Sequence, residues 1–218
     1  QMKYYWAIRE GAEKFGDLVV ASSAGRDVLE YGCGNSFLSQ RLAQSARSVT
    51  CIDISDMVIA RAGHANTQPN VRYAVMDAMN MDYADGSFDV VFGSGIIHHL
   101  DTDKASREIA RVLRPGGKAI FWEPLGLNPA INLYRFLTPS ARTPDEHPLL
   151  PVDFRIMRRH FSDIKTEYFG LFTLLAVPFR NSGIGRPLFA ACLAVDRVLF
   201  RIPGIRMLAW YSLYPCHK

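Results

Sequence analysis

The sequence predicts an α/β fold, a doubly wound and mostly parallel sheet with helices on both faces. Three observations predict it. Short β-prone runs alternate with helix-period segments through the first 123 residues. Glycines or acids follow the end of run after run, where an open parallel sheet collects ligands. Turn chemistry, above all Pro115-Gly116-Gly117, separates the last helix of this region from its last strand.

The elements follow in order. Ala7 to Ala21 reads as a helix with Ile8, Ala12, Phe15, Leu18 and Val19 on one side. After a loop over Ser22 to Arg26, Val28 to Tyr31 is a strand and Phe37 to Gln44 a helix. Ser48 to Ile54 is the second strand. Ser55 is placed to cap the helix that runs to Gly63. Val71 to Met76 and Phe88 to Phe92 are the third and fourth strands. Lys104 to Leu113 is a helix and Lys118 to Trp122 the fifth strand. Beyond Glu123 the rhythm changes. Pro124 to Leu150 holds five prolines and one short helical piece, Ala130 to Leu137. Pro151 to Phe161 then reads as a helix, Ile164 to Val177 as a long strand, Gly185 to Ile202 as a helix and Ile205 to Tyr214 as a closing strand.

The chain is 218 residues, 49% apolar and 21% charged, which excludes an intrinsically disordered protein and suits one domain with elaborations. The parts are a core over 1–123, an insertion over 124–150 and a remainder over 151–218. Charge divides with them. Residues 1–123 carry 13 basic and 15 acidic side chains, and residues 124–218 carry 12 and 6. No basic run or RNA-binding signature accompanies the excess, so no nucleic-acid partner is expected. An acidic substrate, a membrane surface or a solvated basic face remain as readings. Cys33, Cys51, Cys192 and Cys216 have no paired spacing, which argues against a metal site or disulfide framework and for a reducing, cytoplasmic setting. Gln1 to Lys14 lacks the apolar core of a signal peptide.

Chemistry concentrates at the strand ends. Gly32 and Gly34 follow the first strand, Asp53 ends the second, Asp77 follows the third and Gly93-Ser94-Gly95 the fourth. Asp53 lies about twenty residues past the glycines, where a nucleotide-binding carboxylate takes ribose hydroxyls. A dinucleotide fold wants a third glycine where Phe37 stands, and Glu30 would repel a pyrophosphate. A cationic or zwitterionic ligand suits Glu30 better.

Glu30-Tyr31-Gly32-Cys33-Gly34 resembles the first motif of class I S-adenosylmethionine (SAM)-dependent methyltransferases. Thr50 to Ser55 resembles their second motif, Met76-Asp77-Ala78 their third and Phe88-Asp89-Val90-Val91 their fourth strand. Leu113 to Lys118 is similar to the turn before their fifth. The resemblance covers Arg26 to Glu123 and is nearest to the small-molecule, quinone-biosynthesis-like branch. Cys51 departs from it, standing where many relatives have glycine. It implies a seven-stranded sheet with a C-terminal antiparallel strand, and SAM as cofactor. It further implies that Gly32 and Gly34 pass against the methionine part, with Glu30 ordering the loop. Asp53 would take the ribose, Ile54 the adenine face, and Asp77 with Ala78 the adenine edge. Gly93 and Ser94 would line the sulfonium end.

His98 and His99 then fall near the methyl, as a general base or as orienting groups. Arg142 to Pro148 lies where the family builds its substrate lid, which makes Glu146 and His147 further catalytic candidates. On the helix over 185–202, Arg186, Asp196, Arg197 and Arg201 form a polar stripe opposite Leu188, Ala191, Cys192, Val195, Val198, Leu199 and Ile202. That helix is interrupted too early to cross a bilayer, but it could lie on a membrane surface, roof a pocket or pack on its own sheet. The expected function is methyl transfer from SAM to a small or lipophilic acceptor, with oxygen the first choice of atom. A non-methylating partner subunit, different chemistry with SAM or a related nucleotide, and a more distant nicotinamide oxidoreductase stay open. Nothing in the sequence sets the oligomeric state.

Overall fold

The computed structural model describes residues 2–35, 38–141 and 146–218. Phe37 and residues 142–145, which entered the sequence reading, lie outside them. A short helix α1 (Met2–Tyr5) and a 3-10 turn (Trp6–Ile8) precede α2 (Arg9–Ser23). The core continues through β1 (Asp27–Tyr31), α3 (Ser39–Ala43), β2 (Ser48–Asp53), α4 (Asp56–Ala65) and β3 (Val71–Val75). It then passes through β4 (Phe88–Ser94), a 3-10 turn (Ile97–His99), α5 (Thr102–Val112) and β5 (Leu113–Pro124). The second part holds α6 (Pro129–Leu137), α7 (Pro151–Met157), β6 (Glu167–Phe169), a 3-10 run (Phe172–Phe179), α8 (Gly185–Leu199), α9 (Pro203–Arg206) and β7 (Tyr211–His217).

The seven strands lie in the order β3-β2-β1-β4-β5-β7-β6. The first five are parallel, and β7 runs antiparallel to both β5 and β6. Alternation builds the two layers. Val28, Val90 and Ile120 pack under Phe15, Val19 and Leu42 of α2 and α3. Their neighbours Leu29, Val91 and Phe121 pack under Ile109, Val112, Phe154 and Met157 of α5 and α7. Strand order reverses between β1 and β4, so the crevice opens beyond Tyr31 and Ser94.

Three expectations beyond Glu123 need correction. The long strand over Ile164 to Val177 shrinks to Glu167–Phe169. Gly170 turns the chain at φ 84°, and a Cβ there would sit 2.6 Å from Ile8. Asp196 then gathers the N–H groups of Leu171, Phe172 and Thr173, starting the 3-10 run that replaces the strand. For that role Asp196 is buried, off the exposed arginine stripe where the helical wheel put it. Instead α8 packs through Phe189, Cys192 and Asp196 and leaves Val195 and Val198 exposed, as Ile202 is just beyond. The closing strand starts at Tyr211 instead of Ile205, because Pro203 begins the short helix α9.

Candidate active site

The loop after β1 is shaped by its glycines. Gly32 sits at φ 59°, and a Cβ there would lie 2.4 Å from the Ile96 side chain. The Gly34 N–H donates to Asp53 Oδ2 at 3.0 Å, and the Ser55 N–H donates to Asp53 Oδ1 at 3.0 Å. Asp53 therefore ties the first strand-end loop to the second. Ser55 caps α4 as its sequence position predicts, accepting from the Val58 N–H. Glu30 is buried beneath the loop, where the Cys51 thiol donates to Oε2 at 3.5 Å. Cys51 thus touches the site carboxylate. Burial, with Glu30 and Asp53 close by, pushes the Cys33 thiol up to about 12.

The adenosine side fits its expected cofactor. Ile54 is 75% exposed at the carboxyl edge of the sheet, directly after the Asp53 carboxylate. A broad apolar side chain left open beside an acid suits a base lying flat and a ribose offering hydroxyls. Asp77 accepts from the Met79 N–H at 2.8 Å, and Ala78 is buried beside it. Gly93 has a packing role: a Cβ there would fall 2.3 Å from the Tyr31 ring. Ser94, by contrast, lines the cavity next to it.

That cavity holds about 1270 Å³, with Ser94, His98 and His99 in its wall. Trp122 and Tyr211 stack 4.9 Å apart, Tyr4 meets Tyr134 at 5.2 Å, and Tyr5 meets Trp210 at 5.3 Å, giving it aromatic walls. His98 Nδ1 lies 2.7 Å from Glu123 Oε2. The other oxygen, Oε1, accepts from the N–H groups of Ile96 at 2.8 Å and Ile97 at 3.0 Å. Glu123 is 0% exposed. A carboxylate only accepts, so Nδ1 donates to Glu123, and Nε2 is the ring nitrogen that Glu123 does not engage. The His99 ring lies 4.1 Å from that of His98.

The lid candidates separate. Glu146 lines the cavity, with Oε1 paired 2.6 Å from the Arg135 guanidinium. His147 is exposed, is absent from the cavity wall, and donates its backbone N–H to the His98 carbonyl at 2.8 Å. It fastens the lid to the histidine turn. Glu123 is the residue that sequence reasoning missed. Its only local signal is an acid at the end of the fifth strand, matching Asp53 and Asp77 at the second and third.

Residues 29–121 match the family model described as a methyltransferase domain. The 27-O-demethylrifamycin SV methyltransferase of Amycolatopsis mediterranei is 40% identical over 101 residues, 44% of this chain and 37% of that protein. The ubiquinone biosynthesis O-methyltransferase of Pseudomonas paraeruginosa is 33% identical over 118 residues, 52% of this chain and 50% of that protein. The chain thus spans about half the length, or less, of these curated relatives. The crystal structure of the 4+2 cyclase SpnF shares the fold with a TM-score of 0.61 at 21% identity, over 96% of this chain and 82% of that one. Residues 29–121 are a class I SAM-dependent methyltransferase domain, and the cofactor of that family is SAM.

Proposed function

We propose that the protein methylates an oxygen of a small, largely apolar acceptor held in the aromatic cavity, with His98 as general base and Glu123 as its support. The hydrogen bond between His98 Nδ1 and Glu123 Oε2 in the wall of that cavity carries the reading. Bound SAM supplies an activated methyl group on a sulfonium. The chain's own residues have three remaining tasks. Ser94 and the Gly32 loop position the two reactants, which is where most of the rate is gained in such a transfer. His98 Nε2 takes the acceptor proton, while Glu123 holds the ring and supports the imidazolium that forms. The helix α6, with Arg135, and Glu146 beyond it form a wall that limits the access of water. The names of the two curated relatives, a 27-O-demethylrifamycin SV methyltransferase and a ubiquinone biosynthesis O-methyltransferase, support oxygen as the acceptor atom.

Four buried free cysteines accord with a reducing, cytoplasmic setting. No helix among the described residues is long and apolar enough to cross a membrane. The test is calorimetry with SAM and NAD, followed by mass spectrometry of products from a panel of phenolic and quinol acceptors. SAM binding with a gain of one methyl group on oxygen is expected. A second reading, different chemistry on the same scaffold, is favoured by the likeness to a cyclase. A new product of unchanged mass, as a cyclisation gives, or one with a mass change other than one methyl group, would establish it.

A further inference from the structure

We propose that the face carrying the mouth of the aromatic cavity docks on an anionic lipid bilayer. Three segments that wall the cavity also form this face: residues 2–8, residues 127–140 and residues 171–187. The Tyr4–Tyr134 ring pair joins the first to the second, and α1 packs directly on the 172–179 run of the third. The second and third also turn large apolar groups outward.

On α6, Ala130, Ile131, Tyr134 and Arg135 face the cavity, while Leu133, Phe136 and Leu137 are 60%, 80% and 67% exposed. Spacings of three and four residues put those three side chains on one outer face. Leu175, Phe179 and Ile184 continue the exposed apolar surface on the third segment. Exposed apolar residues normally occur singly on a soluble surface, so such a concentration around one opening marks a contact surface.

Charge selects the occupant. The three segments contain Lys3, Arg135, Arg180 and Arg186 and no aspartate or glutamate. Arg135 is paired to Glu146, while Lys3 and Arg186 are exposed. An apolar surface set among cations matches a bilayer bearing anionic headgroups, which accepts both at once. A second copy would bring Lys3 and Arg186 against cations of its own kind. At nine residues α6 is far too short to span a bilayer and would lie in the headgroup plane. This moves the membrane contact away from α8, whose Phe189 and Cys192 are committed to packing. A lipophilic acceptor would then reach the cavity from the bilayer without crossing water.

Vesicle flotation of the full chain tests this. Phosphatidylcholine vesicles containing phosphatidylglycerol should carry the protein, and phosphatidylcholine alone should carry little. The variant L133S/F136S/L137S and the variant K3E/R186E should each reduce bound protein by about tenfold. Both should keep the SAM affinity and melting temperature of the parent, since none of these side chains lines the cavity or is buried. Absence of flotation on anionic vesicles would overturn the proposal, as would flotation that both variants retain. Light scattering that shows a dimer lost in L133S/F136S/L137S would assign the face to self-association instead. None of these readouts depends on the acceptor or on turnover.

Discussion

Glu123 shows how much one side chain at a strand end can fix. Its carboxylate accepts from two backbone N–H groups with one oxygen and from the His98 ring with the other. In Glu123→Gln the carbonyl must stay with Ile96 and Ile97, which can only donate. The amide N–H₂ then faces Nδ1 and donates to it, so the ring proton moves to Nε2 and the base loses its lone pair. Turnover should fall by about 10²- to 10⁴-fold in Glu123→Gln, with SAM affinity preserved. His98→Ala should fall by a similar factor, and the double variant by little more, because the two act as a unit. Steady-state kinetics with calorimetric SAM titration checks this. Full turnover in Glu123→Gln would remove His98 as the base.

Between residues and elements the second part of the chain is held by buried or half-buried acids. Asp196 on α8 accepts from Leu171, Phe172 and Thr173 N–H and from the Thr173 hydroxyl, fastening the 172–179 run that walls the cavity. Asp196→Ala strands the buried Thr173 donors and leaves the half-buried Leu171 and Phe172 N–H groups without their acceptor, and should cost about 2–5 kcal/mol. Hydrogen exchange should rise first over residues 171–179, and stability unchanged in denaturant would show that water replaces the carboxylate without cost. Glu108 on α5 does comparable work for the core. A two-pronged hydrogen bond from Arg111 and one from the Met81 N–H outweigh burial and hold its carboxyl below the ordinary value of 4.5. A carboxyl depressed in the folded state contributes stability above its unfolded pKa and loses it as pH falls through the folded one. Melting temperature should therefore drop as pH is lowered below about 4.5. Glu108→Gln should be destabilised by about 1–2 kcal/mol at pH 7 and show a shallower acid limb. Equal acid slopes in the two proteins would count against this role. Elements with local signals were legible in the sequence: Ser55 before its helix, the glycines after Tyr31, Asp53 and Asp77 at their strand ends. The 172–179 run was not, because its apolar, β-prone residues read as a strand until Asp196, more than twenty positions onward, supplies the caps.

At the scale of the whole molecule, the cofactor side and the acceptor side differ in how they are built. The cofactor side comes from consecutive strand ends, each written locally. The cavity is closed by Tyr4 and Tyr211, from opposite ends of the chain, and by Trp122 between them. No local pattern could announce that meeting, nor the pairing of Glu123 with His98 across 25 positions. The strand-end loops are tied to one another through Asp53, so a ligand seated on them should stabilise the sheet as one unit. SAM at about a hundred times its dissociation constant adds roughly 2.7 kcal/mol to the folded state. For a chain of this length that raises the melting temperature by about 5–10 °C. S-adenosylhomocysteine carries the same adenosine and amino-acid parts and should give a comparable rise. NAD should give none, because Glu30 lies under the loop where a pyrophosphate would have to sit. Asp53→Ala should abolish the response to SAM, since it removes the tether of the Gly34 loop and the carboxylate proposed to take the ribose hydroxyls. Differential scanning fluorimetry across the three ligands and this variant decides the matter. A rise with NAD equal to that with SAM would place a dinucleotide in the crevice and displace the methyl-transfer reading altogether.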